Sequence, residues 1–443
     1  MRGKPMRGKP TTRAAALAAA VLLLATGCSG GDSATGEGGG DGPVRLTYWS
    51  WAPNMEQVVE GWNAEHPDVQ VTVNKQDGGD AAVTKLLTAI KAGSGAPDVM
   101  QAEYQKIPTL VSADAIADIS EQAGDLEQQF SESAWNGVTL GSDAVYGIPQ
   151  DTGPMMFFYR ADLFEQFGIA VPTTWQEYAD AARAIHAADP TKFLGTFSAA
   201  DPGWFTGLAQ QAGASWWGVD GGAWTVDVDD EATQRVASYW GGLVEEGVID
   251  NKPMYTPEWN TGLNDGTQVG WIGAVWGPGV LEGNAPDTKG LWKAAELPQW
   301  DAADPANGNW GGSATSVTTQ SEHAEEAAEF ATWLNTDPEA VEALAQTANV
   351  YPAATEAAST ALTTPPAFFA EQTDFYDVAA AAAGSTNSFT YGPNVNVAYS
   401  AYADAFGPAA EGRRAADFTA ATAAVQRTTL EDMERAGFEV SAG

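Results

Sequence analysis

The chain has 443 residues, 44% of them hydrophobic and 17 of them tryptophan, and a formal net charge of −37. That is too long for one ordinary core, and it holds apolar material enough to fill two. A field of this sign repels nucleic acid, anionic lipid and phosphorylated ligands but not a neutral ligand, and a lone cysteine excludes an internal disulfide and a cysteine-based metal site.

Residues 1–27 differ from everything after them. Arg2, Lys4, Arg7, Lys9 and Arg13 make a basic start, residues 14–25 an apolar run too short to span a membrane, and Gly27-Cys28 a small-residue cleavage point. This pattern predicts a secretory signal. Cys28, the only cysteine, stands where a bacterial lipobox places its lipidated residue, although Ala25 replaces the usual leucine three positions before it. Without the five basic residues of this segment the net charge moves from −37 to −42. Residues 29–42 are mostly Gly, Ser and Asp, which cannot bury enough surface to fold. As a coil they would reach roughly 20 Å, a tether between a lipid and a folded domain.

Residues 45–50 then read as a strand ending at Trp49-Ser50-Trp51. Asn54 is placed to cap a helix whose apolar positions Met55, Val58, Val59 and Trp62 share one face. Residues 69–73 form the next strand, which makes a βαβ unit and predicts a parallel sheet. Val83, Leu86, Leu87 and Ile90 repeat the helical spacing before Gly93, and a third strand begins at 97–100, followed by Glu103 and Tyr104. Residues 143–168 come next, with a bend holding Gly147, Pro149, Gly153 and Pro154 around the polar pair Gln150 and Asp151, then a strand over 155–159. Thr174 and Glu177 have capping-box spacing. Helices are expected near 204, over 231–244, as a turn or helix at 259–263, over 324–334 and after Asp337-Pro338-Glu339. Strands are expected over 269–276 and 314–318.

The order of these elements from Val44 to Val440, with the hinge-like segment 143–168 at its centre, resembles the extracellular solute-binding proteins of bacterial ABC importers, family 1, which captures sugars and includes the maltose-binding type. The resemblance implies an α/β, two-lobed fold of periplasmic-binding-protein type II with three interlobe crossings, within 143–168 at the Gln150-Asp151 pair, at Asn309-Trp310-Gly311-Gly312-Ser313 and at Val350-Tyr351-Pro352. It divides the chain into a signal with lipobox cysteine (1–28), a linker (29–43), lobe 1 (44–151 plus 311–350) and lobe 2 (152–310 plus 351–443). It implies a monomer that binds a mono- or oligosaccharide between the lobes and delivers it to a membrane permease. The protein would be exported and lipid-anchored through Cys28 on the outer face of the cell membrane, with no cofactor, metal or nucleic acid.

A sugar presents apolar C–H faces and hydroxyl edges, so its site needs flat aromatic rings with carboxylates or amides beside them. Trp51, Tyr104, Trp276 and Trp310 follow or end strands and are the expected platforms, with Trp204, Tyr351 and Tyr391 as further candidates. Glu103 and Asp151 are the expected acceptors, with Gln150 and Asn54 behind them. Most of the other tryptophans are expected in the cores, and most acidic residues on a solvated surface. Enzyme signatures are few. His66, His186 and His323 are scattered, and there is no Gly-x-Ser-x-Gly elbow or P-loop. Two alternatives stay open: a glycoside hydrolase using Glu103 and Asp151, and an importer's binding protein for a non-sugar ligand such as a peptide or cationic small molecule.

Overall fold

The computed structural model describes residues 42–220 and 222–442. The expected signal, Cys28 and the linker up to residue 41 lie outside them. Ten strands frame the described residues: β1 (Val44–Ser50), β2 (Val69–Lys75), β3 (Val99–Glu103), β4 (Ile148–Arg160), β5 (Trp217–Asp220), β6 (Ala223–Val226), β7 (Gly270–Ala274), β8 (Trp292–Ala295), β9 (Asn309–Val317) and β10 (Val440–Ala442). Seven of them join in the order β2-β1-β3-β9-β4-β7, with β8 also paired to β4. As the βαβ pattern predicts, β1 runs parallel to β2 and β3. Strand β9 is antiparallel to both β3 and β4, and β7 and β8 are antiparallel to β4.

Local chemistry accounts for most of the helices. In Met55–Glu65 the residues Met55, Val58, Val59 and Trp62 are buried on one face, as their spacing requires. Gly93 ends Asp80–Ala92 in the left-handed conformation, and Thr174 and Glu177 close a reciprocal capping box at the start of Trp175–Ala188. The Asp337 carboxylate accepts from the amides of Glu339 and Ala340 at the start of Pro338–Gln346. Asn54 departs from expectation: its backbone is left-handed and its side chain caps nothing, donating instead to the carbonyl of Thr347 at 2.9 Å. The Gly-rich tryptophan region resolves into the antiparallel pair β5 and β6.

Two hydrophobic cores form on the sheet. One gathers Leu46, Tyr48, Trp62, Leu86 and Phe330 with the helices around β1–β3. The other gathers Trp204, Trp240, Trp271 and Phe406 beyond β4. Strand β4 belongs to both: Ile148 is in the first core, and Met155, Met156, Phe157 and Phe158 are in the second. Thirteen residues at about 3.3 Å each give it roughly 40 Å of length for this. Strand β9 also passes between the cores, with Trp310 packed on the second and Ala314 and Val317 inside the first.

The predicted bend at 147–154 is a continuous strand. Its prolines are accommodated by register shifts between Pro149 and Asp151 and between Thr152 and Pro154, irregularities where a missing amide donor does least harm. The segment expected to make the third crossing bonds to β4 and packs Tyr351 against the second core before the chain turns back. Tyr351 and Ala353 bond to Thr152 and Gln150 of β4, but Ala353, Ala354 and Ala361 pack in the first core. After touching the second core at Tyr351 the chain returns to the first and enters the second again at Phe368, through Thr364, Pro365 and Pro366. Paired prolines hold such a passage extended without needing ladder hydrogen bonds.

At the second register shift a Cβ on Gly153 would stand 2.2 Å from the Trp310 carbonyl oxygen, so β4 and β9 can lie this close only because residue 153 has no side chain. Gly153→Ala should therefore lower the urea-unfolding free energy by about 1–3 kcal/mol. Gly242→Ala, inside the helix Glu231–Glu246 where a Cβ meets nothing within 4 Å, should leave it unchanged or raise it by about 0.4–1 kcal/mol.

Candidate functional site

A cleft of about 830 Å³ opens between the two cores, above the pairing of β4 with β9. Its floor is Asp151 and Thr152 from β4 and Gly311, Gly312 and Ser313 from β9. Trp51 and Glu103, at the carboxyl ends of β1 and β3, form one wall, where ligands of open parallel sheets bind. Trp276, Pro278 and Glu282 form the opposite wall, and Asn349, Tyr351 and the Pro365-Pro366 passage line the remaining side.

Both indoles are fixed by the protein itself. The Gln101 carboxamide oxygen accepts from Ser50 Oγ at 2.7 Å and from the Trp51 amide at 3.2 Å, holding the loop that carries Trp51. Gly78 packs against that indole, where a Cβ would be 3.2 Å away. Trp276 Nε1 donates to the Trp310 carbonyl at 2.8 Å, and its ring meets those of Trp310 and Trp271 at 4.8 and 5.9 Å.

The floor is acidic. Ser313 Oγ donates to Asp151 at 2.8 Å, yet burial pushes the Asp151 carboxyl up to about 7, with the nearby Glu103 charge adding to the rise and Ser313 opposing it. Burial also raises Glu103, against the pull of Lys106. Lys106 is itself buried and committed to Asp80 at 2.6 Å and to Asn396, so it does not line the cleft. Among the described lining residues there are three carboxylates, Glu103, Asp151 and Glu282, and no Lys, Arg or His. Such a site offers stacking faces and hydrogen-bond acceptors to a polyhydroxylated ring, and it repels an anion.

The profile of the family described as "bacterial extracellular solute-binding protein" matches residues 48–341. The chain is a member of that family. An arabinooligosaccharide-binding protein of Halalkalibacterium halodurans is 24% identical over 316 residues, covering 69% of this chain and 70% of the relative. An uncharacterised lipoprotein of Streptomyces antibioticus is 31% identical over 186 residues, 39% of each chain. The solved structure of the galacto-N-biose/lacto-N-biose I-binding protein of an ABC transporter from Bifidobacterium longum, in complex with lacto-N-biose, superposes with a TM-score of 0.79 at 28% identity, over 90% of this chain and 99% of that one. The two-lobed α/β architecture of this solute-binding protein is thus that of its family.

Of the residues singled out in the sequence, Trp51, Glu103, Asp151, Trp276 and Tyr351 meet at the cleft of the solute-binding protein. Others do not. Trp204 is 1% exposed, donates to the Ile272 carbonyl at 3.2 Å and packs on Trp240 in the second core. Gln150 is also 1% exposed and lies under the floor, accepting from Tyr48 and Thr315 at 2.7 and 2.8 Å. Tyr104 is 5% exposed because Gly137 and Gly312 leave room for its ring, and its hydroxyl donates to the Asp151 carbonyl at 3.0 Å. Tyr391 joins Tyr104 around a separate small cavity, and burial raises its phenol to about 12. Asn54 and Trp310 stand outside the lining, and the Trp310 ring meets that of Trp276 edge to face at 4.8 Å. Sequence reasoning missed Glu282, Asn349, Phe368 and Tyr376. Only the Pro-Pro-Ala-Phe-Phe run at 365–369 carried a signal for them, a rigid passage leading into aromatic residues.

The raised Asp151 has a consequence for stability. From its ordinary 3.8 to about 7 the native state holds a proton that the unfolded chain has lost, so the contribution is full below 3.8 and disappears as pH rises through 7. Urea unfolding between pH 4 and 8 should therefore show wild type losing stability relative to Asp151→Asn as pH rises. A difference that stays constant across that range would refute the assignment.

Proposed function

We propose that this solute-binding protein captures a neutral mono- or oligosaccharide between its lobes and delivers it, chemically unchanged, to the permease of an ABC importer. The observation that carries this is the pairing of two fixed indoles, Trp51 and Trp276, on opposite walls of a cleft whose floor offers carboxylate acceptors and no cation. The sugar ligands named for the Halalkalibacterium and Bifidobacterium relatives support it. In this proposal the lobes follow the two cores, so residues 353–362 go with the first and Tyr351 lies at the crossing. A ligand touching both walls favours the closed arrangement by its extra contacts there, and the permease reads that arrangement. The protein works as a monomer. Export follows the signal before Cys28, and lipid on that cysteine holds the chain at the outer face of the membrane, a placement supported by the lipoprotein relative.

A thermal-shift and tryptophan-fluorescence panel of neutral saccharides, uronates, peptides and polyamines tests the ligand class. Saturation at a hundred times Kd adds about 2.7 kcal/mol to native stability. Neutral saccharides should stabilise the protein and uronates should not. Trp51→Ala and Trp276→Ala should each weaken saccharide binding about tenfold or more, while leaving the unliganded protein folded. Stabilisation by peptides or polyamines alone, or release of reducing sugar from a bound oligosaccharide, would replace this function with another. Independently, Cys28→Ser should move the protein from the membrane fraction to the medium.

A further inference from the structure

Tyr255 occupies a position that neither backbone nor burial favours. Its φ is +63°, and it is the one aromatic among the described non-glycine residues with positive φ. A side chain with a Cβ is strained in that conformation, where glycine or asparagine is more comfortable. Tyr255 is also 42% exposed, one of two large hydrophobic residues left open among those described, the other being Val219 on the β5–β6 pair. Strain retained without burial points to a role outside folding.

Its neighbours indicate which role. The Tyr255 ring lies 5.4 Å from Trp259 and 6.2 Å from Trp310. Trp310 meets Trp276 at 4.8 Å, Trp276 meets Trp271 at 5.9 Å, and Trp271 meets Trp259 at 5.5 Å, so five rings close a circuit. Trp259 and Trp271 are fully buried and make its back. Trp276 and Trp310 are half-buried, and Tyr255 is exposed. Aromatic surface therefore runs outward from Trp276 in the cleft wall, through Trp310, which does not line the cleft, to Tyr255 at the solvent. Each ring is braced by two others. The Asp201 carboxylate, held by Ser198 Oγ at 2.7 Å, lies near the Tyr255 phenol and places a hydrogen-bond acceptor beside the platform.

We propose that Trp310 and Tyr255 form a second carbohydrate subsite, continuous with Trp276, which stacks a further ring of an oligosaccharide whose first rings lie in the cleft. The subsite rests on the sugar-binding function proposed above and makes the ligand longer than the cleft alone accommodates. Affinity then rises with chain length until this platform is covered.

The test is calorimetric titration of the exported protein and of its Tyr255→Gly and Trp310→Ala variants with di-, tri- and tetrasaccharides from an arabinose and a galactose series. Glycine suits the left-handed backbone, so Tyr255→Gly keeps its fold, which the melting temperature verifies. Trp310→Ala keeps the backbone carbonyl that holds Trp276. In the series that binds, Tyr255→Gly should lose about tenfold for the longer members and less than about twofold for the disaccharide, while Trp310→Ala, which also removes a ring bracing Trp276, should lose affinity at every length but most for the longer members. Equal losses at every length, or no loss at any, overturn the subsite. No loss would leave the exposed tyrosine to a protein partner. If folded wild type binds no saccharide in either series or in the neutral-saccharide panel, the sugar-binding function fails and the subsite with it. If wild type binds the disaccharide as tightly as the tetrasaccharide, only the subsite fails.

Discussion

The close approach of β4 to β9 is the constraint on which the rest depends. Both strands serve two cores, so a rotation of one core against the other bends β4 and β9, along with the passage at Pro365-Pro366. The ladder is already interrupted there, around Gln150 and at Gly153, and backbone with fewer fixed hydrogen bonds deforms at lower cost. Asp151 stands between those interruptions and lines the cleft from the part of the floor best able to flex. Whatever binds Asp151 therefore acts on the same segment that sets the angle between the cores.

Much of this frame was legible in the sequence because its causes are local. The face made by Met55, Val58, Val59 and Trp62, the capping box of Thr174 and Glu177, and the glycine after Asp80–Ala92 each depend on residues within two turns of one another. The family resemblance supplied the two-lobed arrangement. What could not be read was decided by distant chain. Trp204 and Trp276 look alike in sequence, each beside Gly and Pro, yet one is covered by Trp240 and the helices of the second core while the other faces the cleft. Tyr104 ends a strand as Trp51 does, but Gly137 and Gly312 make space for it to lie under the floor. Asn54 has the chemistry of a helix cap, and the carbonyl of Thr347 takes it instead. The Pro365-Pro366 passage was overlooked for a related reason: Val350-Tyr351-Pro352 does bond to β4, and only the burial of Ala353, Ala354 and Ala361 shows that the chain turns back there.

The two walls differ in how they are built, and the difference bears on what each contributes. Trp51 sits on a loop tied by one glutamine side chain and backed by Gly78, so the first wall presents a single ring on short supports. Trp276 belongs to a set of mutually packed rings that includes two fully buried tryptophans, so the second wall is a rigid slab. A flat ligand loses less entropy against a surface that is already ordered, which places the stronger anchor on the second core.

The acidic floor completes the logic of the cleft. Burial disfavours the charged forms of Asp151 and Glu103, the Glu103 charge adds to the cost at Asp151, and no lining cation offsets it there. A hydrogen bond to a charged group is worth about 1.5–3 kcal/mol, so a ligand that donates hydroxyl hydrogens to these carboxylates stabilises the state the protein alone finds costly. Bringing the walls together without a ligand would dry the floor further and raise that cost. The same burial that lifts Asp151 to about 7 therefore resists closure of the empty cleft, and a ligand with both apolar faces and donor edges removes the resistance while filling the space between the indoles.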